Sequence, residues 1–103
     1  MTRRVERIPL TDAGTEALST LTGLESLCLS FNPITEVTLE RIAGLTKLRN
    51  LELTDIAGVT DAGLIHLRGL KNLEHLDVRN TAVTARGAKE LRSRLPRVKV
   101  RRT

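Results

Sequence analysis

Cys28, His75 and Asp77 are the residue types of a thiol catalytic triad. A thiolate nucleophile needs a base within hydrogen-bond reach, about 3 Å, and a third group that orients the base. The spacing withholds that arrangement. Cys28 lies in the alternating run LCL, and His75 and Asp77 lie in HLDV, so all three sit on short strands facing away from the apolar side. His75 and Asp77 share one strand face but stand about 6.6 Å apart, and Cys28 lies two strands from His75, about 10 Å at parallel spacing. An open sheet supplies neither oxyanion donors nor a water-free pocket. Metal chemistry fares no better. His66 and His75 are the only histidines and belong to a helical and a strand segment, and one cysteine is too few for structural zinc. The run TDAG at 60–63 has one glycine and matches no phosphate loop. The chain is therefore expected to have no catalytic residue, no cofactor and no metal, which leaves recognition as the task of its polar side chains.

The elements that position those side chains follow from the stretch Thr60 to Thr84. Its leucines fall at Leu67, Leu70, Leu73 and Leu76, then Val78 follows two residues on. Apolar spacing drops from three to two at Leu76, which predicts a helix feeding a short strand. Sliding the chain by 24 or 25 residues superposes Leu24, Leu48 and Leu73, then Leu27, Leu51 and Leu76, then Leu29, Leu53 and Val78. Units of this size cannot bury their apolar faces alone and must stack. We expect one domain over 1–103: a partial repeat at 1–10, repeats at 11–34, 35–59 and 60–83, and a degenerate basic capping unit at 84–103.

These residues resemble the leucine-rich repeats. The frame L-x-x-L-x-L occurs as LESLCL, LRNLEL and LEHLDV, and TDAGL stands at Thr60 to Leu64. The likeness is to bacterial repeats of about 24 residues that begin T-D-A-G-L, and to the cysteine-containing repeats of F-box proteins. It implies an α/β solenoid, a fragment of a right-handed horseshoe, with a short parallel sheet on the concave side and helices on the convex side. It further implies a module used mostly for binding proteins, without naming the partner.

Each unit adds its own expectation. Val5 sits six residues before Thr11 as Leu29 does before Thr35, so Arg3-Arg4-Val5 is expected as a first strand and Pro9 as the match of Pro33. Thr11 and Asp12 offer an N-cap oxygen to a helix carrying Leu18 and Leu21. Thr15 replaces the leucine of later units and weakens the apolar face there. Asn32 is expected to bond backbone groups inside its turn. Gly58 marks a wider turn in a unit one residue longer. In the last unit Ala88 and Leu91 keep register, Leu95 falls one place late, and Pro96 ends the helix. A final strand with Val98 and Val100 inward then precedes Arg101 to Thr103, which reads as a true terminus.

Alternation predicts outward triplets of Ser26, Cys28, Ser30; Asn50, Glu52, Thr54; His75, Asp77, Arg79; and Arg97, Lys99, Arg101. The middle row is then Cys28, Glu52, Asp77 and Lys99, running from acidic to basic. Phe31, whose counterparts are Arg7, Asp55 and Asn80, is expected exposed at the rim as an anchor. The candidate partner-binding residues are Cys28, Phe31, Asn50, Glu52, His75, Asp77, Arg79, Arg97, Lys99 and Arg101.

Charge is divided unevenly. Residues 86–103 hold eight Lys or Arg against Glu90 alone, a net +7, while residues 1–85 net −2 of the total +5. That unit could cap an exposed sheet edge or bind nucleic acid or another acidic surface. With Phe31 as the single aromatic, a stacking platform for single strands is excluded. No apolar run reaches the roughly 20 residues of a membrane span, no signal-peptide core opens the chain, and a lone Cys28 fits a reducing compartment. The expectation is a cytoplasmic, non-catalytic module with a protein partner. Nucleic acid is the alternative, and the chain is taken as a monomer or a weak homo-oligomer that stacks through its solenoid ends.

Overall fold

In a strand, leucines two residues apart point to one side and the residues between them to the other. The computed structural model, which describes residues 4–5 and 11–103, realises this pattern at Leu27 and Leu29, at Leu51 and Leu53, and at Leu76 and Val78. Strands β1 (Arg4–Val5), β2 (Ser26–Cys28), β3 (Asn50–Glu52), β4 (His75–Asp77) and β5 (Lys99–Arg101) form one parallel sheet in sequence order. Their register aligns Leu27, Leu51, Leu76 and Val100 in one inward row. The leucines are buried, and Val100 on the last strand is half-buried.

Each strand is joined to the next through a helical segment on the other side of the core. The first is a nine-residue 3₁₀ helix, Asp12–Thr20. Then come α1 (Glu36–Ile42), α2 (Asp61–Leu64) with a 3₁₀ turn Ile65–Leu67, and α3 (Ala85–Arg94). Leu39, Ile42 and Leu45, then Leu64, Leu67 and Leu70, line the inner side of their segments at 3% exposure or less. Leu24, Leu48 and Leu73 close the layer below the strands, and Leu29, Leu53 and Val78 the layer above. Full burial of one such side chain contributes about 1.5–3 kcal/mol, and stacking makes every unit's contribution depend on its neighbours.

The loops leaving β2, β3 and β4 turn through a left-handed residue: Phe31 (φ 65°), Asp55 (φ 59°) and Asn80 (φ 56°). Asp and Asn tolerate this region, but a bulky aromatic is strained in it. Asn32 lies buried behind Phe31 and donates to the Leu29 carbonyl at 3.1 Å, as expected, and Thr81 donates to the Val78 carbonyl at 2.7 Å from the same position in its own turn. Gly58 closes the longer loop because a Cβ there would stand 2.3 Å from the Ile34 carbonyl oxygen.

Several expectations need correction. Val5 pairs with Leu27, not Leu29. The last rung is shifted by two residues: Lys99 aligns with His75 and Arg101 with Asp77, so the middle row is Cys28, Glu52, Asp77, Arg101. The cause is a contraction. Val98 takes the place of Leu73 in the turn before the strand, with the same bond back to the preceding leucine, and only one residue separates it from Val100. Arg97 therefore lies in that turn, off the sheet. Ser30 is buried, its hydroxyl accepting the Thr54 amide at 2.9 Å. Val98, placed inward by the alternation, is buried at 5% exposure. The matches expected at Pro9 and Arg7, and the start of the first strand at Arg3, lie outside the described residues.

Candidate functional site

The helix starts contain polar work that the strand pattern does not reveal. Thr11 makes no side-chain cap to its own 3₁₀ helix. Instead Asp12 reaches forward to the next turn and accepts the Thr35 amide at 2.9 Å, the Thr35 hydroxyl at 2.6 Å and the Thr38 hydroxyl at 2.7 Å. Thr35 in turn accepts from the Val37 amide and so caps α1. Asp61 repeats the arrangement on α3, accepting the Thr84 amide at 2.8 Å and its hydroxyl at 2.6 Å, while Thr84 accepts from the Gly87 amide. A Cβ on Gly87 would fall 2.0 Å from Asp61 Oδ1, so the glycine makes room for the carboxylate. Thr15, fully buried, lies 2.8 Å from the Thr38 hydroxyl, and Arg41 donates to the Asp12 carbonyl. Burial pushes the Asp12 carboxyl up, but the Thr35 and Thr38 bonds outweigh it and hold the group below its ordinary value.

With the helix starts anchored, the outer face of the sheet forms a trough of about 550 Å³. Along one row it presents Arg4, Ser26, Asn50, His75 and Lys99, and along the next Cys28, Glu52, Asp77 and Arg101. Asn50 donates to the Ser26 hydroxyl at 3.1 Å. Asp77 is held on its own strand by Arg79, whose Nε stands 3.0 Å from Oδ1 and whose second nitrogen stands 2.8 Å from Oδ2. Burial pushes the Asp77 carboxyl up, and the Arg79 guanidinium with the Thr54 hydroxyl brings it below the ordinary value. Burial raises the Cys28 thiol, and its contact with the Glu52 carboxylate raises it further, so the protonated form is favoured. Glu52, His75, Lys99 and Arg101 are exposed, and no ion pair joins any of them to another described residue.

The triad types do not converge. Cys28 pairs with Glu52, and His75 pairs with Asn50 on one side and Lys99 on the other. His66 is half-buried on the helical side. Among the described residues no three His, Cys, Asp or Glu side chains come together in a metal-holding group. No helix among them is long and apolar enough to cross a membrane.

Similarity to solved structures follows this geometry. A leucine-rich-repeat protein of Leptospira interrogans superposes with a TM-score of 0.62 at 22% identity, over 94% of this chain and 22% of its own length. Internalin C2 of Listeria monocytogenes superposes with a TM-score of 0.58 at 23% identity, over 82% of this chain and 45% of its own. The chain has a leucine-rich-repeat fold. It spans about a fifth of the first of these proteins and less than half of the second. No protein-family model and no curated protein sequence matches it.

Within the leucine-rich-repeat frame, three candidate residues stand off the trough. Phe31 is 55% exposed on the loop side of the strands, Arg79 lies past the strand end against Asp77, and Arg97 lies on the opposite side beside Glu25, Lys47, Arg49, Asn72 and Glu74. There Arg49 pairs with Glu74 at 2.8 Å. The basic last unit is also divided: Lys99 and Arg101 face the trough, whereas Arg86, Lys89, Arg92 and Arg94 belong to α3 behind the core. The forward caps of Asp12 and Asp61 were missed because helix-start reasoning looks within one unit. The signal was available as a Thr-Asp pair followed 23 residues after the aspartate by a threonine, at 12 and 35 and at 61 and 84.

Proposed function

We propose that the protein is a non-catalytic interaction module of the bacterial T-D-A-G-L type of leucine-rich repeat, working in the cytoplasm and binding another protein through the concave face of its sheet. The observation that carries this reading is the trough itself. Its floor is fixed by strand register and its charged groups Glu52, Lys99 and Arg101 are exposed and unpaired with one another. A rigid, preorganised polar face lowers the ordering cost of association. The thiol held protonated and the wide placement of Cys28, His75 and Asp77 favour recognition over nucleophilic catalysis. The basic unit at 84–103 serves in this reading as a charged cap over the last strand.

The test is capture from the source cell's lysate with wild type, the concave variant Glu52→Lys/Arg101→Glu, and the convex control Arg92→Glu. A partner retained by wild type and the control but lost by the concave variant supports the reading. A partner indifferent to the concave reversal places binding elsewhere. A second reading, polyanion binding, rests on the unpaired cations of the last unit. It requires duplex affinity to fall with salt at a log–log slope of about −0.9 per phosphate neutralised.

A further inference from the structure

The charges that the trough leaves unsatisfied have a direction. Along the middle row Glu52 is negative, Asp77 is neutralised by Arg79, and Arg101 is positive, with Lys99 beside it on the same strand. Glu52 and Arg101 are separated by one intervening strand, so their backbones stand about 10 Å apart. The two do not pair across the floor, and no described residue forms an ion pair with either. The sheet thus presents a fixed dipole along the stacking axis, with the anion on β3 and two cations on β5.

We infer, on the basis of the concave-face reading above, that the partner presents an extended peptide segment running along this axis, with one basic and one acidic side chain three residues apart. The chemistry follows from spacing. In a polyproline II segment residues i and i+3 lie on the same face and about 9.3 Å apart, which matches the Glu52 to Arg101 separation. A fully extended strand puts i and i+2 only about 6.6 Å apart and turns i+3 to the opposite face. The basic side chain meets Glu52; the acidic one lies between Lys99 and Arg101; and the two intervening residues pass over Asp77, whose carboxylate is already occupied. His75 and Asn50 border this path as hydrogen-bonding groups. The partner is a protein segment and not a nucleic acid, because Glu52 would repel a continuous phosphate backbone.

Fluorescence anisotropy with labelled peptides, proline-rich except for the helical control, tests this at about 0.15 M ionic strength. The peptides carry Lys-Pro-Pro-Glu, its reverse Glu-Pro-Pro-Lys, an adjacent Lys-Glu pair, or Lys and Glu seven residues apart in a helical peptide. At least one of the first two should bind about fivefold or more tightly than the adjacent pair, the range expected for losing well-placed exposed ion pairs. Glu52→Lys and Lys99→Glu/Arg101→Glu should each weaken it by a similar factor. The triple reversal Glu52→Lys/Lys99→Glu/Arg101→Glu should restore binding, with the segment lying in the opposite direction. Urea melts of each variant confirm that the fold is intact. Equal binding of all four peptides, preference for the seven-residue spacing, or failure of the triple reversal to restore affinity overturns the inference. Tighter binding of a single-stranded oligonucleotide by Glu52→Lys than by wild type, with no peptide preference, overturns it in favour of a polyanion. If the peptides fail while lysate capture still depends on the concave face, the segment chemistry is wrong and the concave-face reading stands.

Discussion

Leu53 and Glu52 are adjacent in sequence and opposite in consequence. Leu53 is fully buried and Glu52 is exposed in the trough. Leu53→Ala should cost about 2–5 kcal/mol, whereas Glu52→Ala should stay within about 0.5 kcal/mol, as read from urea midpoints. A Glu52→Ala loss comparable to that of Leu53→Ala would reverse the assigned faces of the sheet. Phe31 tests a different residue-level conflict. Its left-handed backbone favours the Asp and Asn found at the equivalent positions 55 and 80. Phe31→Asn should therefore raise stability by roughly 0.5–1 kcal/mol, by relieving the strain of a bulky residue at positive φ. The inward leucines were legible in the sequence because a period of two leaves no ambiguity of face. The exposure of Phe31 was legible from its polar counterparts. Its distance from the trough was not, because the end of a strand and the loop beyond it differ by one residue and one turn of backbone.

At the scale of elements, the sequence shows which segments are helical but not what holds their starts. Thr11 and Asp12 have the composition of a local cap, yet the carboxylate serves the following unit. Local reasoning cannot see a bond spanning 23 residues. Gly87→Ala should destabilise by about 1–3 kcal/mol through collision with Asp61, and much less when Asp61 is also alanine. Urea melts of the two single variants and the double variant give the coupling directly. The last strand departs from the period for another reason: the frame contracts from LEHL to VKV, which moves Arg97 off the sheet and Arg101 into the middle row. Lys99 and Arg101 still face outward because the shift was by two residues, which preserves the face.

For the whole molecule, stacking makes the middle of the array more sensitive than its ends. Val100 on the last strand is half-buried, so Val100→Ala should cost less than Leu51→Ala in the same urea series. Acid should act on the array through its lowered carboxyls. Asp12 and Asp77 both have folded values below the ordinary value of 3.8, so they contribute stability that is present above that value. It is lost as the pH falls through the folded values, because the folded state resists taking up the protons. Urea midpoints should be level between about pH 5 and 7 and fall below about pH 4. Asp12→Asn should show a smaller acid-induced fall than wild type. The architecture is legible in the repeat period, since three frames at one spacing admit only a stack. The set of unpaired outward charges was not legible, because pairing is decided between units.

The forward reach of Asp12 and Asp61 gives the array a polarity that its leucines lack. A leucine in the core is satisfied by neighbours on either side, but each of these carboxylates is satisfied only by the unit that follows. Shortening the array at its start would strip a helix of its support; shortening it at its end would leave an acceptor with nothing to hold. During synthesis, each of these aspartates emerges before the threonine that completes it. The order in which the chain leaves the ribosome is therefore also the order in which its turns can be fastened.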